Sequence, residues 1–442
     1  MLKAGVSIAN VTPLHKTTLS GYPYPIGRSA VTAHDPLYAC VYYFENNGSR
    51  AMYITADVVS FSKDRAAELR MLIEKHTAIP RQNIIIAGTH THSGPSTGGN
   101  SWNHFEELRE KQPANNDRMR DLILNAAKDA VKNAFDAELG YGSGICGKEK
   151  GVGGNRHDPE NGVCDPTVGV IAIRDKAGEL RGCVVNYSMH PTVLHDHNFF
   201  FTADFPCYIR QYLNDLHPFM ISGFMMGSSG DQSTRFFRTA QTFDEAKRIG
   251  TAIAEEAAKA LDNLKWEDDP VIAVNVQDAY LPLKNFPSHE EAKKQLDELE
   301  ARHKALVDGG APYSECRAVE SLMEGAIFVE GFTASLVGEN AAIVLGRECP
   351  VECIAMRLGG CVIAGIATEN FVAVSNAVKE ASPLELTLIC SLANGATLGY
   401  VCTDEAYDQL CYEAQESTFA KGAAGVLVES CKKALDVVCA AK

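Results

Sequence analysis

Two stretches of the chain follow one pattern, and that repetition limits the possible folds more than any other feature. Residues 51–95 read as strand, acidic residue (Asp57), helix, strand and the polar motif GTHTHSGP. Residues 361–401 read as strand, acidic residue (Glu369), helix, strand and the polar motif ANGATLGYV. Asp57 to His90 is 33 residues, and Glu369 to Tyr400 is 31. Two such units can face each other with their strand ends converging on one site; two ordinary strand–helix–strand units of similar length are the other reading. Either way the pattern predicts an α/β protein, with mixed β-sheets flanked by helices in a layered, αββα-like arrangement; the first reading adds an internal pseudo-repeat.

The remaining segments fit that frame. Residues 38–58 read as two strands around the turn Asn46-Asn47-Gly48, a hairpin signal. A helix follows over 62–76, then the apolar run 83–87. Residues 105–135 hold one or two amphipathic helices, with Pro113 as the breaking point. Strands recur near 168–174 and 182–188, a helix covers 241–264, and the chain closes in a helix over 417–438. The stretch 288–324 differs: it is rich in Glu, Lys, Ala and Leu and is broken by Asp308-Gly309-Gly310-Ala311-Pro312. That reads as a helical hairpin, inserted as a lid because strand patterns flank it. No low-complexity linker divides the chain, so 1–442 is expected to be a single catalytic domain carrying that insertion.

Composition excludes several functions. Hydrophobic residues at 45% and charged residues at 22% suit a soluble globular protein. A net charge of −15 argues against nucleic acid or an anionic membrane as partner, since both need a basic face. No basic-then-apolar leader and no run of 18 apolar residues is present, so no secretory signal or membrane span is expected, and the location is expected to be cytoplasmic. The 14 cysteines contain no CxxC pair and one CxxxC (Cys349, Cys353); they read as reduced and mostly buried.

Five segments can carry chemistry. In Gly88-Thr89-His90-Thr91-His92-Ser93-Gly94-Pro95, side chains two apart share a face of an extended chain, so His90 and His92 can enter one cavity. Neutral imidazole is a common zinc ligand. His190 again closes an apolar strand, just before Pro191, and completes a three-imidazole set by spacing alone; the nearby pair His195 and His197 reads as solvated loop. Gly227-Ser228-Ser229-Gly230-Asp231-Gln232-Ser233-Thr234 allows close backbone approach, with Ser233 a conceivable nucleophile and Asp231 its orienting group. Residues 399–413 bring Tyr400, Tyr412 and Glu413. Gly154-Asn155-Arg156-His157 places an arginine where it can reach a carbonyl oxygen.

Together these segments resemble the neutral ceramidase family, zinc-dependent amidases also called neutral/alkaline non-lysosomal ceramidases. GTHTHSGP is close to the family's histidine motif, residues 399–413 follow its Y-V-x-T-x-E-x-Y-x-x-x-x-Y-E pattern, GDQS at 230–233 is similar to GDVS, and Asn155-Arg156 to the N-R loop. Thr368-Glu369-Asn370-Phe371 is similar to its G-E-F segment. The resemblance implies zinc held by His90, His190, Glu369 and Tyr400, instead of the three-imidazole set. It implies His92 beside the metal as an acid/base or oxyanion group, Arg156 and Tyr412 on the scissile carbonyl oxygen, and Ser233 as nucleophile or water positioner.

The expected function is therefore zinc-dependent hydrolysis of a C–N amide bond in a small N-acyl substrate. Thr234-Arg235 replace the family's P-N after GDVS, and no apolar excess marks a groove for a sphingoid chain. The expected substrate is accordingly not ceramide. A zinc esterase or lactonase acting on an ester, or a non-catalytic zinc- or ligand-binding protein, are the alternatives.

Overall fold

A computed structural model describes residues 1–22, 28–97, 106–335, 348–395, 399–409 and 411–441. Strand β1 (Lys3–Asn10) pairs antiparallel with β2 (Tyr38–Asn46), which turns into β3 (Ser49–Ala56). The turn is the expected one: Asn47 and Gly48 both have positive φ, 48° and 81°, the backbone a two-residue hairpin needs. Helix α1 (Lys63–Thr77) starts at Ser62, whose hydroxyl accepts from the Arg65 amide. It leads to β4 (Ile84–Gly88), parallel to β3.

Helix α2 (Glu106–Lys132) runs through Pro113 as one helix. Proline costs one backbone bond, but Met119, Ile123, Ala126, Ala127 and Ala130 repeat at helical spacing and are all buried, which holds the rest of the helix on the sheet. The first sheet continues through β5 (Phe135–Ile145), β6 (Thr167–Asp175) and β7 (Leu180–Tyr187). Helix α3 (Phe205–Leu216), strand β8 (Ile221–Met226) and helix α4 (Phe243–Leu261) follow. Its order is β8-β7-β6-β5-β1-β2-β3-β4, with the short strand Lys265–Glu267 paired to β5.

A second sheet holds β9 (Ile272–Pro282), β10 (Glu348–Leu358), β11 (Cys361–Ile366) and β12 (Leu386–Ser391), in that order. Helix α5 (His289–Asp308) and helix α6 (Tyr313–Ser335) rise between the antiparallel neighbours β9 and β10. The hairpin thus lies between two strands that pair with each other, and its second helix continues past residue 324 to Ser335. Helix α7 (Val372–Glu380) links β11 to the parallel β12, and helix α8 (Ala423–Cys439) closes the chain.

The two sheets stack face to face. Tyr42, Tyr53, Ile85, Leu139 and Val184 of the first meet Met356, Ile363 and Leu388 of the second in one apolar cluster. The first sheet's outer face is covered by α1 and α2 on one half and by α3 and α4 on the other; α7 and α8 cover the second. The architecture is the layered αββα arrangement. Central strands are covered on both faces, which is why they read as continuous apolar runs and not as alternation. All 14 cysteines are free.

Candidate active site

The site forms where strand ends of both sheets meet. After β4, the Thr89 amide donates to Ala56 O at 2.8 Å and the His90 amide to Val58 O at 3.0 Å. A Cβ at Gly88 would lie 2.5 Å from Val58 O, so only glycine lets the chain pass there. His90 is held at φ 66°, a left-handed conformation uncommon for a non-glycine residue. His190 follows β7 and is buried. Beyond β11, Glu369 is the register partner of Tyr400 in a short parallel ladder.

These residues converge. His190 Nε2 lies 2.9 Å from Glu369 Oε1, and His90 Nε2 lies 3.6 Å from Glu369 Oε2. His92 Nε2 is 3.3 Å from His90 Nε2. The orienting contacts separate the imidazoles. His90 Nδ1 faces Val59 O at 3.0 Å, and His190 Nδ1 faces Ser229 O at 2.7 Å and Gln232 O at 3.2 Å. A carbonyl only accepts, so both rings carry their proton on Nδ1 and turn an Nε2 lone pair inward. His92 Nδ1 is buried without a hydrogen-bond partner among the described residues.

Two acceptors thus face each other at 2.9 Å, His190 Nε2 and Glu369 Oε1, and among the described residues the oxygen has no hydrogen-bond donor although it is buried. A cation between them resolves that conflict. His90, His92 and His190 form a group whose ligand atoms lie within 4.8 Å of one another, close enough to hold a metal ion. Burial lowers the His90 imidazole to about 4, so it is neutral near pH 7. Burial would raise the Glu369 carboxyl; Arg156 pulls it down, and the His190 and His90 rings add to that pull only when they carry a second proton.

Arg156, Tyr400 and Tyr412 form the facing wall. The Arg156 guanidinium lies 5.8 Å from the Tyr400 ring centroid and 5.9 Å from that of Tyr412. It donates to Gly230 O at 2.6 Å and pairs with the Glu413 carboxylate. Glu413, nearly inaccessible, also meets His157 Nε2 at 2.8 Å. Residues Gly154-Asn155 pair antiparallel with Gln232-Ser233, so the arginine loop and the GDQS loop are zipped together. Ser233 lines the cavity, and its Oγ accepts from the Arg235 amide at 3.1 Å. Asp231 does not orient it: its carboxylate accepts from Asn155 Nδ2 at 3.1 Å and from the Val372 amide at 2.9 Å, tying three segments together.

The cavity has a volume of about 240 Å³. Of the expected site residues, His92, His190, Arg156, Ser233, Tyr400 and Tyr412 line it, while His90 and Glu369 adjoin it through their contacts with His92 and His190. Sequence reasoning missed Gly21, Tyr22, Glu324 and Arg238, which also line it. It misplaced His195, whose ring belongs to the cavity wall; His197 is the solvated one, at 83% side-chain exposure. The Gly21-Tyr22 turn was the only local signal for the first two.

The N-terminal sequence profile of the neutral/alkaline non-lysosomal ceramidases matches residues 2–236. The chain belongs to this family. Membership places it among hydrolases. No curated protein sequence matches it. Solved structures share the fold over nearly its whole length. A ceramidase complexed with C2 superposes with a TM-score of 0.72 at 15% identity, and the neutral ceramidase from Pseudomonas aeruginosa with 0.70 at 17%. Each comparison covers 99% of this chain and 74% of the other. Among the described residues, no helix of this family member is long and apolar enough to cross a membrane.

Proposed function

We propose that this chain is a zinc-dependent amidase that cleaves the C–N bond of a small N-acyl compound other than ceramide, acting in the cytoplasm as a single domain with the hairpin as an insertion. The observation that carries the reading is the pair of backbone-anchored imidazoles, His90 and His190, whose Nε2 atoms both face the buried Glu369 carboxylate. His90, His190, Glu369 and Tyr400 would hold the metal. His92 is the weaker candidate, because no hydrogen bond from the described residues orients its Nδ1. Zinc in such a site supplies Lewis-acid polarisation of the carbonyl and makes water nucleophilic near neutral pH.

The chain's own groups do the rest. Arg156 and Tyr412 stand on one wall of the cavity and donate to the oxygen that gains charge as water adds to the carbonyl carbon. Each such donor is worth about 2–4 kcal/mol of barrier. His92 takes a proton from the attacking water and returns it to the departing nitrogen as the C–N bond breaks. Ser233 Oγ, fixed by the Arg235 amide, positions that water. The lining contains no aliphatic side chain among the described residues, which favours a polar substrate over one with a long alkyl chain.

Metal analysis and paired substrates test this. About one zinc per chain is expected, with His90→Ala, His190→Ala and Glu369→Ala losing it and His92→Ala retaining it within about tenfold in affinity. Absence of zinc overturns the reading. Loss in His92→Ala equal to that in His90→Ala restores the three-imidazole site. Turnover of an ester but not of its matching amide makes the protein an esterase.

A further inference from the structure

Tyr22 has no part in the mechanism above, yet its ring is clamped and its hydroxyl left over. Gly21 has φ 95°, and a Cβ there would fall 2.4 Å from the His92 ring, so the turn lies directly on that imidazole. The Tyr22 ring meets His92 edge-on, with centroids 4.9 Å apart, and His195 at 4.8 Å. The Arg28 guanidinium stands 4.9 Å from the ring centroid. Arg28 is itself anchored on the carbonyls of Ser20, His92 and His195. Three groups, His92, His195 and Arg28, therefore hold the ring of one side chain that lines the cavity.

The Tyr22 Oη is buried and has no hydrogen-bond partner among the described residues. Buried hydroxyls are normally paired, and a rigid, unpaired one in a ligand cavity is a group waiting for a ligand atom. Burial keeps the phenol protonated, since it pushes the hydroxyl above its ordinary range, so the hydroxyl can donate. The charges around it are mixed, Arg28 and Arg238 against Asp196 and Asp204, so the site calls for an oxygen acceptor and not for one particular charge.

We propose that Tyr22 is a specificity-determining residue: its Oη donates to an oxygen on the substrate arm that runs along the His92 side of the cavity, so the preferred amides carry a hydroxyl or carboxylate close to the scissile bond. The inference rests on the amidase reading but is tested separately by binding. The probes are N-acetylethylamine, which lacks the oxygen, N-acetylethanolamine and N-acetylglycine, which add a hydroxyl or a carboxylate on the amine side, and N-glycolylethylamine, which adds a hydroxyl on the acyl side. Calorimetric titration of the zinc-loaded protein and steady-state kinetics are run on wild type and Tyr22→Phe, with zinc content measured in both.

At least one oxygen-bearing probe is expected to bind about five- to tenfold more tightly than N-acetylethylamine, and to show a correspondingly lower KM. Tyr22→Phe should keep its zinc and bring that ratio to about one. Which probe gains identifies the arm and the group. A wild type without preference, or a Tyr22→Phe variant that keeps it, overturns the proposal. If no amide is turned over, the amidase reading fails, and the titrations still decide the role of Tyr22.

Discussion

The seat of His90 is an ion pair that can be broken deliberately. Asp57 follows β3 and is inaccessible to solvent; Arg210, on α3, is 7% exposed. Three nitrogen–oxygen contacts of 2.9–3.0 Å join them, and the Tyr38 amide donates to the same carboxylate at 2.8 Å. The histidine motif rests on this turn: a Cβ at Gly94 would lie 2.8 Å from Asp57 O. In Arg210→Met the carboxylate keeps the Tyr38 amide but loses its counter-charge. Breaking a buried pair from one side costs about 3–5 kcal/mol.

The pH dependence gives the sharper test. Burial pushes the Asp57 carboxyl up, and Arg210 is the main group pulling it down. With Arg210 gone, the push of burial is opposed mainly by the Tyr38 amide. A folded-state value raised further above the ordinary aspartate range means that the folded variant holds a proton the unfolded chain has released. Stability is then lost as pH rises from the unfolded value through the folded one. Linkage makes the deficit against wild type larger at pH 7.5 than at pH 5, with the about 3–5 kcal/mol of a broken buried pair as its scale at the higher pH. Urea unfolding of both proteins at the two pH values measures it. A loss below about 1 kcal/mol at pH 7.5, or an equal loss at both, would refute the assignment of this pair as the foundation of the motif.

Two further outcomes follow from the geometry. Glu413→Gln removes the counter-charge that orients Arg156; kcat/KM on a hydrolysed amide should fall about 10–100-fold, the worth of a charged hydrogen bond, with zinc retained, whereas unchanged kinetics would mean that Gly230 O alone positions the guanidinium. Replacing 289–335 with a short Gly-Ser linker should leave zinc content intact and alter substrate range, because β9 and β10 pair directly and Glu324 on α6 lines the cavity; loss of zinc would show that the hairpin supports the site.

Most of the layered frame was readable along the chain. The Asn47-Gly48 turn and the unbroken apolar runs of β3, β4, β7 and β11 act over a few residues, so local chemistry announces them. The continuity of α2 was not readable, since Pro113 is a strong local breaker and the burial that overrides it comes from a distant sheet. His195 and His197 show the same limit. They sit two apart in one polar loop, yet one lines the cavity and the other faces water.

The pseudo-repeat marks the boundary between the two kinds of information. Spacing alone placed Asp57 and Glu369 at equivalent points of two strand–helix–strand units and put polar motifs after both. It could not say that Asp57 would be neutralised by an arginine from α3 while Glu369 would face two imidazoles. Those fates depend on which side chains the stacked sheets bring within 3–4 Å. The same holds for Tyr22, whose ring is fixed by groups from residues 28, 92 and 195. Periodicity and turn chemistry are short-ranged along the chain and so are written in it. Electrostatic and hydrogen-bond partners are short-ranged in space, and folding alone makes distant residues neighbours.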